Sequence, residues 1–267
     1  MTITLLGLSL DVMNAAEPAA KMRAAQRVVN VLGDGAPIGD DRQPAPTRPQ
    51  RPEKPILCPP SEMPRRRFGS VKGRATLLHA IAHIELNAID LAFDMAVRFT
   101  KTATALGLDA QAFVADWISV GGDEARHFGL IETRLAELGF KYGDFPAHDG
   151  LWEAAENTAG EFLARLVVAP LILEARGLDV TPGMIVRLRD EGDAESAAIL
   201  EVIYNDEIGH VACGERWFSA ACSALDYEPV QAFQRLKAEF FAGALKPPFN
   251  HEGRDLAGMP RSYYDPI

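Results

Sequence analysis

The pattern Asp-Glu-x-x-His occurs twice, as Asp123-Glu124-Ala125-Arg126-His127 and as Asp206-Glu207-Ile208-Gly209-His210. Residue frequencies alone give on the order of 0.03 copies in a chain of this composition, and its Glu-x-x-His core is a helix-borne metal motif. Both copies lie inside apolar stripes. One runs Phe113, Trp117, Val120, Glu124, His127, Ile131, Leu138, and the other Leu200, Ile203, Glu207, His210, Gly214, Trp217. Steps of three and four residues keep each set on one helix face, so the pattern buries two glutamates and two imidazoles among apolar neighbours. An ionised carboxylate taken out of water is costly unless it is paired or binds a metal ion. A plain core Glu–His hydrogen bond is the other outcome, and two identical buried pairs argue against it.

The rest of the chain reads as helix, without convincing strand alternation. The pattern predicts helices over about 1–34, 74–106, 110–138, 151–176, 193–223 and 229–242, with a short one after Thr181-Pro182. Asp109 is the expected N-cap of the third, Gly107 and Gly139 the stops of the second and third, and Gly177 that of the fourth. Nine prolines between 37 and 64 forbid helix interiors there and predict an extended segment, either a disordered linker or an arm wrapped on the surface with Ile56, Leu57 and Met63 as apolar anchors. Residues 246–267 are expected to be irregular. The organisation is therefore an N-terminal helix and arm (1–66), a four-helix bundle (67–245) and a tail (246–267), all-α throughout.

A two-metal bundle needs one further carboxylate from each remaining long helix. Glu85 sits on the stripe Leu78, Ile81, Ile89, Ala92, and Glu174 on Leu163, Val167, Leu171. Glu85 lies 22 residues before Gly107, and Glu124 and His127 lie 17 and 20 after it. At ~1.5 Å per residue, antiparallel packing brings them to similar depth. Glu174 is close to Gly177, whereas Glu207 is deep in its helix, so 178–192 must continue the earlier direction before the chain reverses. Pro170 should kink that helix beside the site.

Glu, Glu-x-x-His, Glu, Glu-x-x-His on four helices resembles the ligand pattern of the ferritin-like di-iron carboxylate proteins. More narrowly, His79-Ala-Ile-Ala-His83-Ile-Glu85-Leu-Asn-Ala-Ile, Met63-Pro-Arg-Arg and Pro248-Phe249-Asn250 resemble the family called domain of unknown function four-five-five. A more distant likeness is to the ferritin-like tRNA hydroxylase. The resemblance implies a ferritin-like bundle in which Glu85, Glu124, His127, Glu174, Glu207 and His210 hold two iron ions, or manganese, or a mixed pair. Oxygen and nitrogen donors without thiolate suit those metals. It also implies a dioxygen-dependent oxidase or hydroxylase acting on an unknown small-molecule substrate. The alternatives are a non-enzymatic iron-sequestering protein and, further off, a tRNA-modifying hydroxylase.

Around the six ligands, Asp123 and Asp206 are expected to accept from the outer nitrogen of a ligand histidine on the other half. Tyr204, one turn before Glu207, is a candidate relay or a plain core tyrosine. His79 and His83 lie about 240° and 200° from Glu85 around the helix and read as core or interface histidines. Gly121-Gly122 allow either space for a small molecule or close helix contact. Arg65, Arg66 and Arg67 with Lys72 and Arg74 form a basic cluster. Against this, the net charge of −10 argues against a nucleic-acid partner. Cys58, Cys213 and Cys222, an odd number without metal spacing, suggest a reducing, cytoplasmic setting. No apolar run is long enough for a membrane span. The long arm and tail would obstruct shell contacts, so a monomer or small oligomer is expected.

Overall fold

The computed structural model describes residues 3–39, 44–64 and 66–265. Among them every regular element is helical, apart from one isolated parallel bridge between Leu57 and Ala147. The protein is all-α, and among the described residues no helix is long and apolar enough to cross a membrane.

The two longest early helices, α3 (Val71–Ala105) and α4 (Ala110–Glu137), form an antiparallel pair. Ser70 caps α3 by accepting from Gly73 N at 3.1 Å, and Gly73 is required because a Cβ there would overlap the Arg67 carbonyl. Asp109 caps α4 as expected, accepting from Ala112 N. The second half pairs α7 (Ala175–Asp190) with α8 (Ala194–Ala224), and α8 also packs on α4. Asp193 caps α8 through Ser196 N and pairs with Arg74 and Arg134, which ties the α7–α8 turn to α3 and α4.

Several expected boundaries move, each for a local reason. The single helix expected over 1–34 is two, α1 (Leu5–Asn14) and α2 (Pro18–Gly33), with Pro18 at the start of the second, where its missing N–H does no harm. The helix expected over 151–176 breaks into α5 (Gly150–Asn157) and α6 (Phe162–Val168). Buried Arg165 fills the break by donating to the Ala155 carbonyl and to Thr158 Oγ1 while pairing with Asp94.

Gly177 does not stop a helix and Thr181-Pro182 does not start a new one, since all three lie inside α7. Pro182 has no N–H to offer the Leu178 carbonyl four residues earlier. That carbonyl accepts instead from Asn250 Nδ2 at 3.0 Å. The tail thus supplies the hydrogen bond that the proline cannot, and Pro248-Phe249-Asn250 acquires a structural purpose. The tail is also less irregular than expected: α10 (His251–Leu256) and α11 (Arg261–Tyr264) follow α9 (Pro229–Phe240), and Tyr263 and Tyr264 are buried.

Among its described residues the arm is extended, with only a 3-10 turn at Pro60–Glu62. Ile56 and Leu57 are not its anchors, being 62% and 47% exposed. Ionic contacts hold it instead. Arg51 pairs with buried Asp90 and donates to Asn87, Arg48 pairs with Asp149 and Glu156, and Arg98 donates to the Pro46 carbonyl. One continuous apolar core includes residues of helices α1 to α9 and of the tail.

Candidate metal centre

Glu85 lies in the buried middle of α3, Glu124 and His127 in that of α4, and Glu207 and His210 in that of α8. Their ligand atoms form two overlapping groups, Glu85–Glu124–His127 and Glu124–Glu207–His210, with all atoms of each group within 4.8 Å of one another. Glu124 belongs to both. His127 Nδ1 is 3.2 Å from Glu85 Oε2 and 3.5 Å from Glu124 Oε2. His210 Nδ1 is 3.0 Å from Glu124 Oε1 and 3.6 Å from Glu207 Oε2. Both imidazoles therefore turn Nδ1 inward to the carboxylates. The rings lie 5.9 Å apart.

Glu174 stands beside these groups without joining either. It ends a π-helical segment, Ala169–Glu174, that carries the chain from α6 into α7. The kink expected at Pro170 takes this form, a widened turn of the kind common at functional sites. Gly214 of α8 makes room for it, since a Cβ there would come within 2.4 Å of the Pro170 ring.

The outer nitrogens are held crosswise. His127 Nε2 on α4 is 2.9 Å from Asp206 Oδ2 on α8, and His210 Nε2 on α8 is 3.5 Å from Asp123 Oδ2 on α4. Arg126 joins the two acids, 2.6 Å from Asp206 and 3.1 Å from Asp123. Sequence reasoning missed this residue. Its one signal was that the two pentapeptides differ there, Arg126 against Gly209, so that one guanidinium serves both acids. Tyr204 turns toward the tail, its hydroxyl accepting from Asn250 Nδ2 at 2.9 Å, and no hydrogen bond joins it to the cluster among the described residues. Gly121 and Gly122 are close contacts rather than space: a Cβ would meet Phe93 at 2.7 Å and Val29 at 2.6 Å. Arg74 is bound to Asp193, and Arg65 lies outside the described residues.

Does the donor set suit metal ions? Several of its polar atoms have no hydrogen-bond partner among the described residues: both Glu124 oxygens, one oxygen each of Glu174 and Glu207, and both nitrogens of His210. Buried orphans gathered at one point are what ligands look like without their ions. Burial, and then the Glu124 carboxylate, push Glu85 well above the usual range; burial with Glu207 and Glu124 does the same to Glu174, and burial with Glu124 raises Glu207. Burial opposes ionisation of Glu124 too, but His210 and His127 hold it below its ordinary value. Although burial disfavours their charge, His127 is pushed up to about 11 by Glu124 and Glu85, and His210 well above its ordinary value by Glu124 and Asp123. Beside the cluster, burial raises the Cys213 thiol to about 12, which leaves it unreactive.

Comparison with known proteins places the chain in a family. Residues 14–265 match the family described as Protein of unknown function (DUF455). The chain belongs to that family. A Haemophilus influenzae relative, described as an uncharacterized protein, is 40% identical over 214 residues, covering 80% of this chain and 74% of its own. No solved structure gives a significant match.

Proposed function

We propose that this member of the family is a ferritin-like carboxylate protein holding two metal ions, iron or manganese or one of each, and that it acts as a dioxygen-dependent oxidase or hydroxylase on a small molecule. The observation that carries the reading is Glu124: one buried carboxylate, faced by both imidazoles but with no hydrogen bond to either oxygen among the described residues, shared by two Glu/Glu/His groups. Four ionised glutamates would neutralise two divalent cations, and neutral imidazoles complete a mixed oxygen and nitrogen set. Glu85 and His127 would hold one ion, Glu207 and His210 the other, with Glu124 between them and Glu174 closing the set.

Two redox-active ions held there would supply the activation of dioxygen. The chain's own part is to position and to exclude water. Asp206 fixes the ring plane of His127 through a hydrogen bond, and Asp123 faces the outer nitrogen of His210 as a charge partner. Ile81, Ile89, Val120 and Ile203, all buried, belong to the apolar core around the cluster. The three cysteines are free, in keeping with a cytoplasmic setting.

Anaerobic loading with Fe(II) followed by dioxygen, watched by absorbance and Mössbauer spectroscopy, tests the reading. Conversion of the loaded iron to a coupled diferric pair, with no further iron retained, supports it. Retention of many irons per chain would favour the iron-sequestering alternative, and inertness to dioxygen would remove the oxidase assignment.

A further inference from the structure

The arm has a three-residue period that the metal centre does not use: Thr47-Arg48-Pro49, Gln50-Arg51-Pro52, Glu53-Lys54-Pro55. In polyproline geometry three residues make one turn, so Arg48 and Arg51 fall on one edge. Both line a small cleft of about 60 Å³ between the arm and α3, with Tyr142 and Trp152 as aromatic walls and His83 also lining it. That is room for a group of a few heavy atoms.

His83 is 7% exposed. Its Nδ1 lies 2.8 Å from the Tyr142 hydroxyl, the one hydrogen bond of that phenol among the described residues. With no other acceptor for that hydroxyl among the described residues, its proton is assigned to the bond with Nδ1, which places the ring hydrogen on Nε2. Nε2 has no hydrogen-bond partner among the described residues, although the His148 backbone lies near enough to the ring to favour its charged form. The cleft therefore contains a buried donor that lacks an acceptor, which is costly to leave unmet.

Charge decides what kind of acceptor fits. Arg48 is anchored on Asp149 and Glu156, and Arg51 on Asp90, which Lys21 shares at 2.6 Å. Arg48 and Arg51 face Asp149, Glu156 and Asp90, and burial lowers Lys21 to about 6, so the surroundings hold no surplus positive charge. A dianion would bring two unmatched charges into this setting, whereas a flat monoanion adds one and places two acceptor oxygens among the donors. We propose that this cleft binds the carboxylate group of a small organic acid, held by the His83 Nε2–H and the guanidinium groups of Arg48 and Arg51. The inference does not depend on the metal centre.

The test is a titration of the full chain, purified without added metal and labelled with ¹⁵N at histidine, with formate and with acetate. The His83 Nε2 resonance should move saturably, and the melting temperature should rise with the logarithm of acid concentration. Arg48→Gln, a change at a half-exposed side chain, should weaken binding roughly 10-fold, and His83→Phe should abolish the melting-temperature response. A His83 resonance unmoved by either acid would overturn the proposal. So would an equal response to chloride at matched ionic strength, or binding of phosphate that neither acid displaces.

Discussion

At the residue scale, the crosswise pairing of Asp206 with His127 and Asp123 with His210 carries most of the weight. Each acid is on the helix opposite its histidine, so the ring orientation depends on α4 and α8 staying in register. Replacing Asp206 with Asn keeps the shape but removes the charged acceptor, and metal affinity should fall roughly 10–100-fold in a competition titration. Asp94 is unsuited as a control for this experiment, because it is buried between Arg98 and Arg165 and its loss would strand two cations. Exposed Asp11 serves better. Equal small effects at Asp206 and Asp11 would contradict the orienting role. Protonation gives a second prediction. His127 is pushed up to about 11, so between about 6.5 and 11 the folded metal-free protein holds a proton that the unfolded chain has lost. Stability of the metal-free protein should therefore fall as pH rises through that window, and metal uptake should release protons and tighten with pH. Calorimetry in buffers of different ionisation enthalpy measures the release. Uptake without proton release would contradict the protonated cluster.

The tail's contribution appears at the element scale. Asn250 caps α10 by accepting from Gly253 N, meets the Leu178 carbonyl orphaned by Pro182, and reaches Tyr204. Asn250→Ala should cost ~1–3 kcal/mol in denaturant unfolding, because it leaves a helix-interior carbonyl without a partner. A loss within error would mean that water replaces the amide. The same contact explains what local sequence reasoning misread. Gly177 and Pro182 look like helix punctuation when only their neighbours are considered, and the residue that carries α7 through them is some seventy positions away. The depth argument was nonetheless legible, since Glu174 and Glu207 could share a level only if 178–192 continued onward, and α7 does run on to Asp190. The two Glu-x-x-His pairs were legible because helical spacing alone decides which face they occupy. Arg126 was not, because its role depends on an acid from another helix.

At the scale of the whole molecule, the described residues of the arm and the tail pack on the long helices and contribute to the core. The proline density foretold an extended arm, but its anchors proved to be Arg48 and Arg51 rather than Ile56 and Leu57, since an extended chain cannot turn every apolar side chain inward. With these segments on the bundle surface, broad faces for a closed shell are reduced. Size-exclusion chromatography with light scattering should give a monomer or small oligomer, and a large hollow assembly would contradict this. The central claim is that one chain holds two metal ions about Glu124. Its most direct test is metal analysis after anaerobic saturation with Fe(II) at neutral pH, followed by gel filtration. Two ions per chain are predicted, with at least one lost in Glu124→Ala while the helical circular dichroism is retained. One ion or none in the unaltered protein would contradict the account.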